Sequence, residues 1–200
     1  METDNFLTIE SPSEGLFKEK GSRFLAFAYP VQDEEEIQLI IENTRKKYHD
    51  ARHHCYAWRL GADLTHFRAN DDGEPTHSAG KPILGQIQSF QLTNVLVIVV
   101  RYFGGTLLGV GGLIQAYKSA SMDALKNARI IEQHLFLTCK MSFVYDDLGH
   151  VMKVLKDMDL PQWDQRFEID CELKIKIRKS QFSKLQHAFR PDCSVKINVI

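Results

Sequence analysis

Residues 95–112 read VLVIVVRYFGGTLLGVGG and give the clearest structural signal in the first part of the chain. The continuously apolar run at 95–100 predicts a central strand that is covered on both faces. Five glycines then fall within nine residues, directly before a segment with the apolar spacing of a helix. Backbone N–H groups ahead of a helix N-terminus can bind an anion. The strand, glycine loop and helix are therefore the first candidate for a functional site.

The glycine loop allows two interpretations. Its spacing departs from a Walker A loop at Val110, where a lysine is needed, and from the dinucleotide-binding fingerprint at Ile114, where a glycine is needed. In one interpretation the glycines only permit tight turns and close packing of the helix on the sheet. In the other the loop contacts phosphate, with Arg101 before it and Lys118 in the following helix as the positive charges.

The residues before position 95 predict four strands and two helices. The first helix begins at Asp33 and has an acidic first turn and a basic last turn, which suit the helix macrodipole. The sequence Asn-Asp-Asp-Gly at 70–73 favours a tight reversal and indicates a hairpin in this region. Pro82 suits the first turn of the second, short helix. The predicted strands cover residues 6–9, 23–29, 55–60 and 65–69.

The hydrophobic pattern changes from His134 onward and predicts a second, smaller domain. Its predicted elements follow the order β-α-β-β-α-β, which is the ferredoxin-like arrangement. We expect Asp146 to cap the first of its helices and Pro161 to end that helix. We therefore expect an α+β chain of two domains, at residues 1–133 and 134–200.

Composition and charge exclude several classes of protein. Hydrophobic residues at 44% and charged residues at 26% are typical of a globular protein, and a net charge of −1 means that nucleic-acid binding needs a local basic patch. The four cysteines form no C-x-x-C pair, which indicates reduced thiols and not a zinc site. The longest apolar run is far shorter than the about 20 residues of a membrane-spanning helix, and the acidic N-terminus is unlike a signal peptide. We expect a cytoplasmic protein without membrane contact, metal or cofactor.

Carboxylates and imidazoles gather around the predicted turn at 70–73. They either complete the turn or form a metal or acid–base site, and their spacing matches no known pattern of metal ligands. Ser78 follows His77, but adjacency in sequence does not supply a general base, so we assign no catalytic residue. The residues of this cluster are His53, His54, Asp71, Asp72, Glu74 and His77.

The second predicted domain is the more basic one. Residues 134–200 hold 11 Lys and Arg against 9 Asp and Glu, whereas residues 1–133 hold 14 against 17. Alternation places a mixed set of charges on the strand face away from the apolar stripe, with Phe136 as the one aromatic residue of that face. This face is either solvated or contacts phosphate in the manner of an RNA-recognition motif. Its basic residues are Lys140, Arg166, Lys174, Lys176, Arg178 and Lys196.

Four ordered motifs resemble the YigZ/IMPACT family. They are HHCYAW at 53–58, DDGEP at 71–75, AGKP at 79–82 and RYFGGTLLG at 101–109, and the resemblance covers roughly residues 18–128. The last third of the chain resembles, in size and order of elements, the small C-terminal domain of YigZ-type members. The resemblance implies that the first domain has the β-α fold shared by the second domain of a small-subunit ribosomal protein and domain IV of elongation factor G. It implies that the second domain is similar to domain V of that factor.

The same resemblance implies a link to translation. Eukaryotic members of the family dampen the amino-acid-starvation response by competing for the activator of a translation-initiation-factor kinase. The two-domain layout resembles that of bacterial members, and bacteria lack this kinase pathway. We therefore expect a translation-linked regulatory or binding protein that contacts RNA, the ribosome or a translation factor, and that is not an enzyme.

We predict that one concave site carries this function. Arg101 and Lys118 contact phosphate in this prediction, and Tyr102 stacks on the ligand beside the flanking charge of Lys81. The predicted binding residues are Lys81, Arg101, Tyr102, Gly104, Gly105, Gly109 and Lys118, and the predicted lining residues are His53, Asp72 and Glu74.

Two alternative functions make different structural predictions. A phosphate-ligand-binding enzyme that uses the glycine loop, by analogy with kinases of the same superfold, predicts a deep pocket around Asp72, Glu74 and Arg101. A protein–protein adaptor predicts an exposed apolar patch instead.

Overall fold

The chain folds into two compact units. The computed structural model describes residues 4–200. One unit comprises Phe6–Gln133, and the other comprises residues 134–200 together with Asp4 and Asn5. Each unit has its own hydrophobic core and contains a β-sheet with packed helices, so the α+β prediction is confirmed.

Residues 4–200 form eleven strands and five α-helices. The strands are β1 (Asn5–Ile9), β2 (Ser13–Glu19), β3 (Ser22–Pro30), β4 (His53–Leu60), β5 (His66–Asn70), β6 (Val95–Tyr102), β7 (Ile130–His134), β8 (Phe136–Val144), β9 (Gln162–Arg166), β10 (Asp170–Arg178) and β11 (Lys196–Val199). The helices are α1 (Glu34–Lys47), α2 (Gly80–Ser89), α3 (Gly109–Asn127), α4 (Leu148–Asp157) and α5 (Phe182–Ala188). In this part of the chain, none of the helices has the length and apolar character that crossing a lipid bilayer requires.

β6 is the central strand of the first unit. The five-stranded sheet has the order β2-β3-β6-β4-β5, and every neighbouring pair is antiparallel. Val95, Val97 and Val99 pack with α2 and α3 on one face, while the alternate residues of β6 pack with α1 on the other. The prediction of a central strand covered on both faces is confirmed. Long apolar runs are typical of parallel sheets, but helices on both faces of this antiparallel sheet produce the same pattern.

The strands β2 and β7 lie outside the predicted elements. β2 reads SEGLFKE and is half exposed along its length, so it lacks the apolar signal of a buried strand. A two-residue turn joins β2 to β3, and both Lys20 (φ 46°) and Gly21 (φ 80°) have the left-handed backbone that a type I′ hairpin requires. β7 pairs with β1 in a separate two-stranded sheet.

The hairpin near residue 70 closes at a different place from the predicted one. Residues 61–65 join β4 to β5, which form the antiparallel pair. Residues 70–73 do reverse the chain, since the N–H of Glu74 donates to the carbonyl oxygen of Asp71 at 2.9 Å. This turn leads from β5 into α2 and not into another strand, because its acidic side chains bind backbone groups of the loop and of α2.

The second unit has a four-stranded antiparallel sheet in the order β11-β8-β10-β9. With α4 and α5 as its helices, this is the ferredoxin-like arrangement that the sequence predicts. Alternate residues of β8 and β10, such as Met141 and Leu173, face a core that also holds Val151 of α4 and Leu185 of α5.

Asp4 belongs to the second unit and is held there by hydrogen bonds. Its carboxylate accepts from the backbone N–H of Ser180 at 3.0 Å and from Arg178 at 3.2 Å. These hydrogen bonds from Ser180 and Arg178 hold the pKa of Asp4 well below its usual range. A residue at the start of the chain is thus anchored to residues near its end.

Candidate functional site

Three neighbouring strands bring Phe24, Arg101 and His53 side by side. In the sheet register, Arg101 on β6 lies opposite Phe24 on β3 and His53 on β4. Alternation along β6 puts Arg101 on the same face as Val97 and Val99, which is the face that α2 and α3 cover. A charged side chain on this buried face needs a partner.

Glu74 is the partner of Arg101. Nη1 of Arg101 donates to Oε1 of Glu74 at 2.5 Å, and the two side chains are only 7% and 3% exposed. The hydroxyl of Tyr117 on α3 donates to the same oxygen at 2.8 Å. The guanidinium carbon lies 5.5 Å from the ring centre of Phe24 and 5.7 Å from that of Phe103. One buried ion pair therefore joins β6, the loop after β5 and α3.

Cys55 lies at the end of the same network. Its Sγ is 3.3 Å from the hydroxyl of Tyr117 and 3.0 Å from the carbonyl oxygen of Asp71. Burial raises the pKa of both the Cys55 thiol and the Tyr117 hydroxyl far above their usual ranges. Both groups stay protonated near neutral pH, so this cysteine is a packed thiol and not a nucleophile.

A cavity of about 410 Å³ opens beside the ion pair. Polar side chains form one part of its wall, and mostly apolar residues of the glycine loop and α3 form the rest. Its rim is open to solvent, since Leu107 is 83% exposed, Val110 53% and Phe103 47%. The polar lining residues are Arg52, His53, Glu74 and Arg101, and the others are Pro75, Phe103, Leu107, Leu108, Gly109, Val110 and Leu113.

His53 is held in one tautomer by the turn after β5. Its Nδ1 lies 2.8 Å from the carbonyl oxygen of Asp72. Because a carbonyl oxygen only accepts, Nδ1 must carry a proton in this hydrogen bond. The cavity lining therefore places the imidazole of His53 beside the guanidinium of Arg101.

The two aspartates of the turn have structural partners. The carboxylate of Asp71 accepts three backbone N–H groups of the loop and the start of α2, at 2.8–3.0 Å. The carboxylate of Asp72 accepts from Arg45 and from the backbone N–H of His54, both at 2.7 Å. These contacts favour the turn interpretation of the acidic cluster over a metal or acid–base site.

His54 makes the stability of the first unit depend on pH. It is buried, its Nε2 donates to the carbonyl oxygen of Tyr48 at 3.1 Å, and burial lowers its pKa. As the pH decreases through about 6.5, the unfolded chain binds a proton that the folded chain does not, so folding stability decreases.

We expect the urea concentration at the unfolding midpoint to be lower at pH 5.5 than at pH 7.5. His54→Gln should make this difference smaller. The exposed His49 provides the matched substitution, because His49→Gln removes a histidine that is not buried. Equal slopes in wild type and His54→Gln would contradict the assignment.

The first unit matches a known protein family. The family model of the Impact N-terminal domain matches residues 20–125, a range that includes every residue lining the cavity. The chain belongs to the IMPACT family. Its similarity to members of this family extends beyond the first unit.

The similar proteins include a curated relative and two solved structures. The IMPACT family member YvyE of Bacillus subtilis is 33% identical over 153 residues, which are 76% of this chain and 70% of YvyE. A crystal structure of a hypothetical protein is 27% identical, covers 99% of this chain and 98% of its own, and has a TM-score of 0.75. The two-domain translational regulator Yih1 is 27% identical over 61% of this chain and 47% of its own, with a TM-score of 0.37.

The structure brings together part of the site predicted from the IMPACT-family motifs. Arg101, Glu74, His53 and Gly109 line the cavity, and Asp72 holds His53 through its carbonyl oxygen. These residues come from β4, β6, the loop after β5 and the start of α3. The concavity therefore lies where the motifs of the family converge.

Tyr102, Lys81 and Lys118 lie elsewhere. Tyr102 follows Arg101 on β6, so its side chain turns to the opposite face of the sheet, where it packs near α1 and donates to Asp50 at 2.8 Å. The prediction that Tyr102 stacks on a ligand of this site is wrong for that reason. Lys81 on α2 and Lys118 on α3 are exposed and stand outside the cavity lining.

Gly104 and Gly105 shape the loop. A Cβ on Gly104 would lie 1.9 Å from the carbonyl carbon of Gly21, so the two backbones can approach only because residue 104 is glycine. Gly105 has a φ of +87°, which favours glycine. Both observations support the packing interpretation for this half of the glycine loop.

Tyr117 and Arg52 are site residues that the sequence analysis misses. Tyr117 has the spacing of a core residue on α3, and its hydroxyl contacts become visible only in the fold. Arg52 precedes β4 without any distinguishing motif. The one usable signal is Arg101 itself, because a charge on the buried face of a central strand requires a counter-charge.

The open sheet face of the second unit carries paired charges. Lys140 contacts Glu172 at 2.7 Å, and Lys174 contacts Asp164 at 2.8 Å. Arg166 pairs with the neighbouring Glu168 in the same way. Because these cations already have anionic neighbours on the same surface, the arrangement favours a solvated face over a phosphate-binding one.

Proposed function

We propose that this protein is a translation-linked regulator that binds a protein component of the translation apparatus through the Arg101 cavity and its apolar rim. The link to translation rests on membership in the IMPACT family and on the role that the family resemblance implies. A cytoplasmic location accompanies this proposal. The observation that carries the choice of a protein partner is the exposed apolar rim of the cavity.

The rim has the character of a protein-binding surface. Phe103, Leu107 and Val110 line the cavity and are between 47% and 83% exposed, and Ile114 follows one turn later on α3. Apolar side chains gathered on a surface mark sites of protein interaction. Complete burial of a side chain such as Leu107 contributes about 1.5–3 kcal/mol, so a few of these residues can anchor a partner.

The charges of the site argue against RNA as the main partner. Nucleic-acid affinity comes mostly from accessible Lys and Arg on phosphates. Arg101 is buried against Glu74, and Lys81 and Lys118 stand outside the cavity. Among the described lining residues, Arg52 is the one exposed cation, and a single cation is fewer than phosphate binding normally uses. This distribution supports recognition of a protein more than recognition of a polyanion.

The acid–base groups of the site argue against an enzyme. The carboxylate of Glu74 is held by Arg101 and Tyr117, and burial keeps the thiol of Cys55 protonated by raising its pKa. His53 is the remaining group of the lining with a side chain suited to proton transfer near neutral pH. A single imidazole supports recognition more than catalysis.

Photo-cross-linking tests the proposal. A photoreactive amino acid at position 107 of the full chain, in a translation mixture reconstituted from purified components, should cross-link to one protein of that mixture. The same amino acid at Leu39 is the control, because Leu39 is 58% exposed on α1, which covers the other face of the sheet. Cross-links to ribosomal RNA alone, or equal protein cross-links from both positions, would overturn the proposal.

A functional measurement accompanies the cross-link. We expect the wild-type protein to change the rate of protein synthesis in the same mixture, and Leu107→Asp to abolish this change while Leu39→Asp preserves it. Aspartate at an exposed position leaves the fold intact but makes burial of the rim unfavourable.

A further inference from the structure

The N-terminus of α3 forms one edge of the Arg101 cavity. Gly109 and Val110 belong both to the cavity lining and to the first turn of this 19-residue helix. The first turn reads Gly109-Val110-Gly111-Gly112, and within residues 4–200 no side chain caps it. The first backbone N–H groups of an α-helix have no partner inside the helix, and they carry about half a positive charge.

Arg101 lines the same cavity and has a donor that is unpaired within residues 4–200. Its Nη1 donates to Glu74, but its Nε is buried and finds no hydrogen-bond partner in the described part of the chain. The guanidinium lies over the ring of Phe103, which also lines the cavity. A buried donor without an acceptor is unfavourable, so a bound acceptor would stabilise this arginine.

The charge of the cavity suits one anionic group. Arg101 and Glu74 balance each other, and the positive charge that remains comes from Arg52 and from the N-terminus of α3. This excess of roughly one to two positive charges suits a single anionic group and not a polyanion. The apolar part of the wall favours a carboxylate attached to a hydrophobic body over an inorganic anion.

We propose that the cavity binds a carboxylate next to a bulky apolar side chain, presented by a segment of the protein partner. That a protein partner supplies the carboxylate rests on the proposed function. That the ligand combines a carboxylate with an apolar side chain rests on the cavity alone. The carboxylate lies between the N–H groups of the first turn of α3 and Arg101. The apolar side chain lies against Phe103, Leu107 and Val110.

Three small probes separate the parts of this proposal. We would titrate the ¹⁵N-labelled full chain with 3-phenylpropanoate, with 3-phenylpropan-1-ol and with inorganic phosphate, following the amide signals of Gly109, Val110 and Gly111 by NMR. 3-Phenylpropanoate should shift these signals with a Kd on the order of millimolar, as its size allows. The alcohol should bind at least tenfold more weakly, and phosphate should leave the signals unshifted over the same range. Equal binding of acid and alcohol, or equal binding of acid and phosphate, would overturn the proposal.

Two variants test whether Arg52 and Arg101 bind the carboxylate. Arg52→Gln should weaken binding of 3-phenylpropanoate about two- to fivefold, while Arg68→Gln, on the exposed strand β5, should leave it unchanged. The double variant Arg101→Met/Glu74→Gln keeps the net charge of the site and should abolish the preference for acid over alcohol. A double variant that keeps this preference would overturn the role of Arg101.

Competition distinguishes the two proposals. If the partner places its own carboxylate in the cavity, 3-phenylpropanoate should reduce the cross-link from position 107. A cross-link that persists at saturating probe would overturn the assignment of the partner's carboxylate while leaving the proposed function standing. Probe binding without any protein cross-link would overturn the proposed function while leaving the chemistry of the cavity standing.

Discussion

Replacing Glu74 with glutamine is expected to destabilise the first unit by about 3–5 kcal/mol, the usual cost of removing one member of a buried ion pair. The side chains of Glu74 and Arg101 are 3% and 7% exposed, so solvent cannot stabilise the arginine that remains. Glutamine has nearly the shape of glutamate and still accepts the hydroxyl of Tyr117. The loss of stability therefore measures the cost of the uncompensated charge on Arg101 and not the cost of a cavity.

The two tryptophans allow this effect to be measured in the full chain. Trp58 lies in the first unit and Trp163 in the second. In a Trp163→Phe background, the buried Trp58 becomes the fluorescent reporter of the first unit. Urea unfolding then gives the free energy of unfolding of Glu74→Gln, of Arg101→Met and of the double variant.

The double variant Arg101→Met/Glu74→Gln is the matched control. Replacing both charges with neutral groups of similar size is often neutral for stability, so this variant should recover most of the loss seen in Glu74→Gln. If the losses of unfolding free energy in the two single variants add up to the loss in the double variant, the two charges are not coupled.

Gly104→Ala is expected to be the second large effect, at about 3 kcal/mol. Its Cβ would lie 1.9 Å from the carbonyl carbon of Gly21 and 2.1 Å from the nitrogen of Ser22. Both atoms belong to the backbone at the turn between β2 and β3, which cannot move aside by rotating a side chain. Overpacking costs typically about 1–3 kcal/mol, and contact with backbone places this change at the upper end.

Gly111→Ala is the control for this substitution. Its Cβ would enter open space within α3, where alanine is favoured over glycine, so the variant should be about 0.5–1 kcal/mol more stable than wild type. Urea unfolding followed by Trp58 compares the two variants. If Gly104→Ala is as stable as the wild type, the turn between β2 and β3 can shift to accept the added Cβ. Packing would then not require glycine at position 104.

Much of the fold could be predicted because its signals are local. The apolar run of β6 predicts a covered central strand, and Asp33 before an acidic turn predicts the start of α1, where its carboxylate accepts the N–H of Glu36 at 2.8 Å. The order of elements after His134 likewise predicts the ferredoxin-like sheet. Periodicity and capping depend only on neighbours along the chain.

The strand β2 and the hairpin of β4 and β5 could not be predicted in the same way. β2 is an edge strand with half-exposed residues, so burial leaves little pattern in its sequence. The turn at 70–73 has the composition of a hairpin turn, yet the fold uses its aspartates to hold the start of α2. Several turn types share one composition, and only the following element distinguishes them.

The candidate site shows the same division. The sequence alone predicts that Arg101 follows the buried strand and that a glycine loop leads from it into a long helix, because these are properties of consecutive residues. The pairing of Arg101 with Glu74, 27 positions away, is a result of the folded structure. The orientation of Tyr102 is different, because alternation along a strand already places it on the sheet face opposite to Arg101. Burial forces a charge to find a counter-charge, but which one it meets depends on how the loop after β5 packs against β6 and α3.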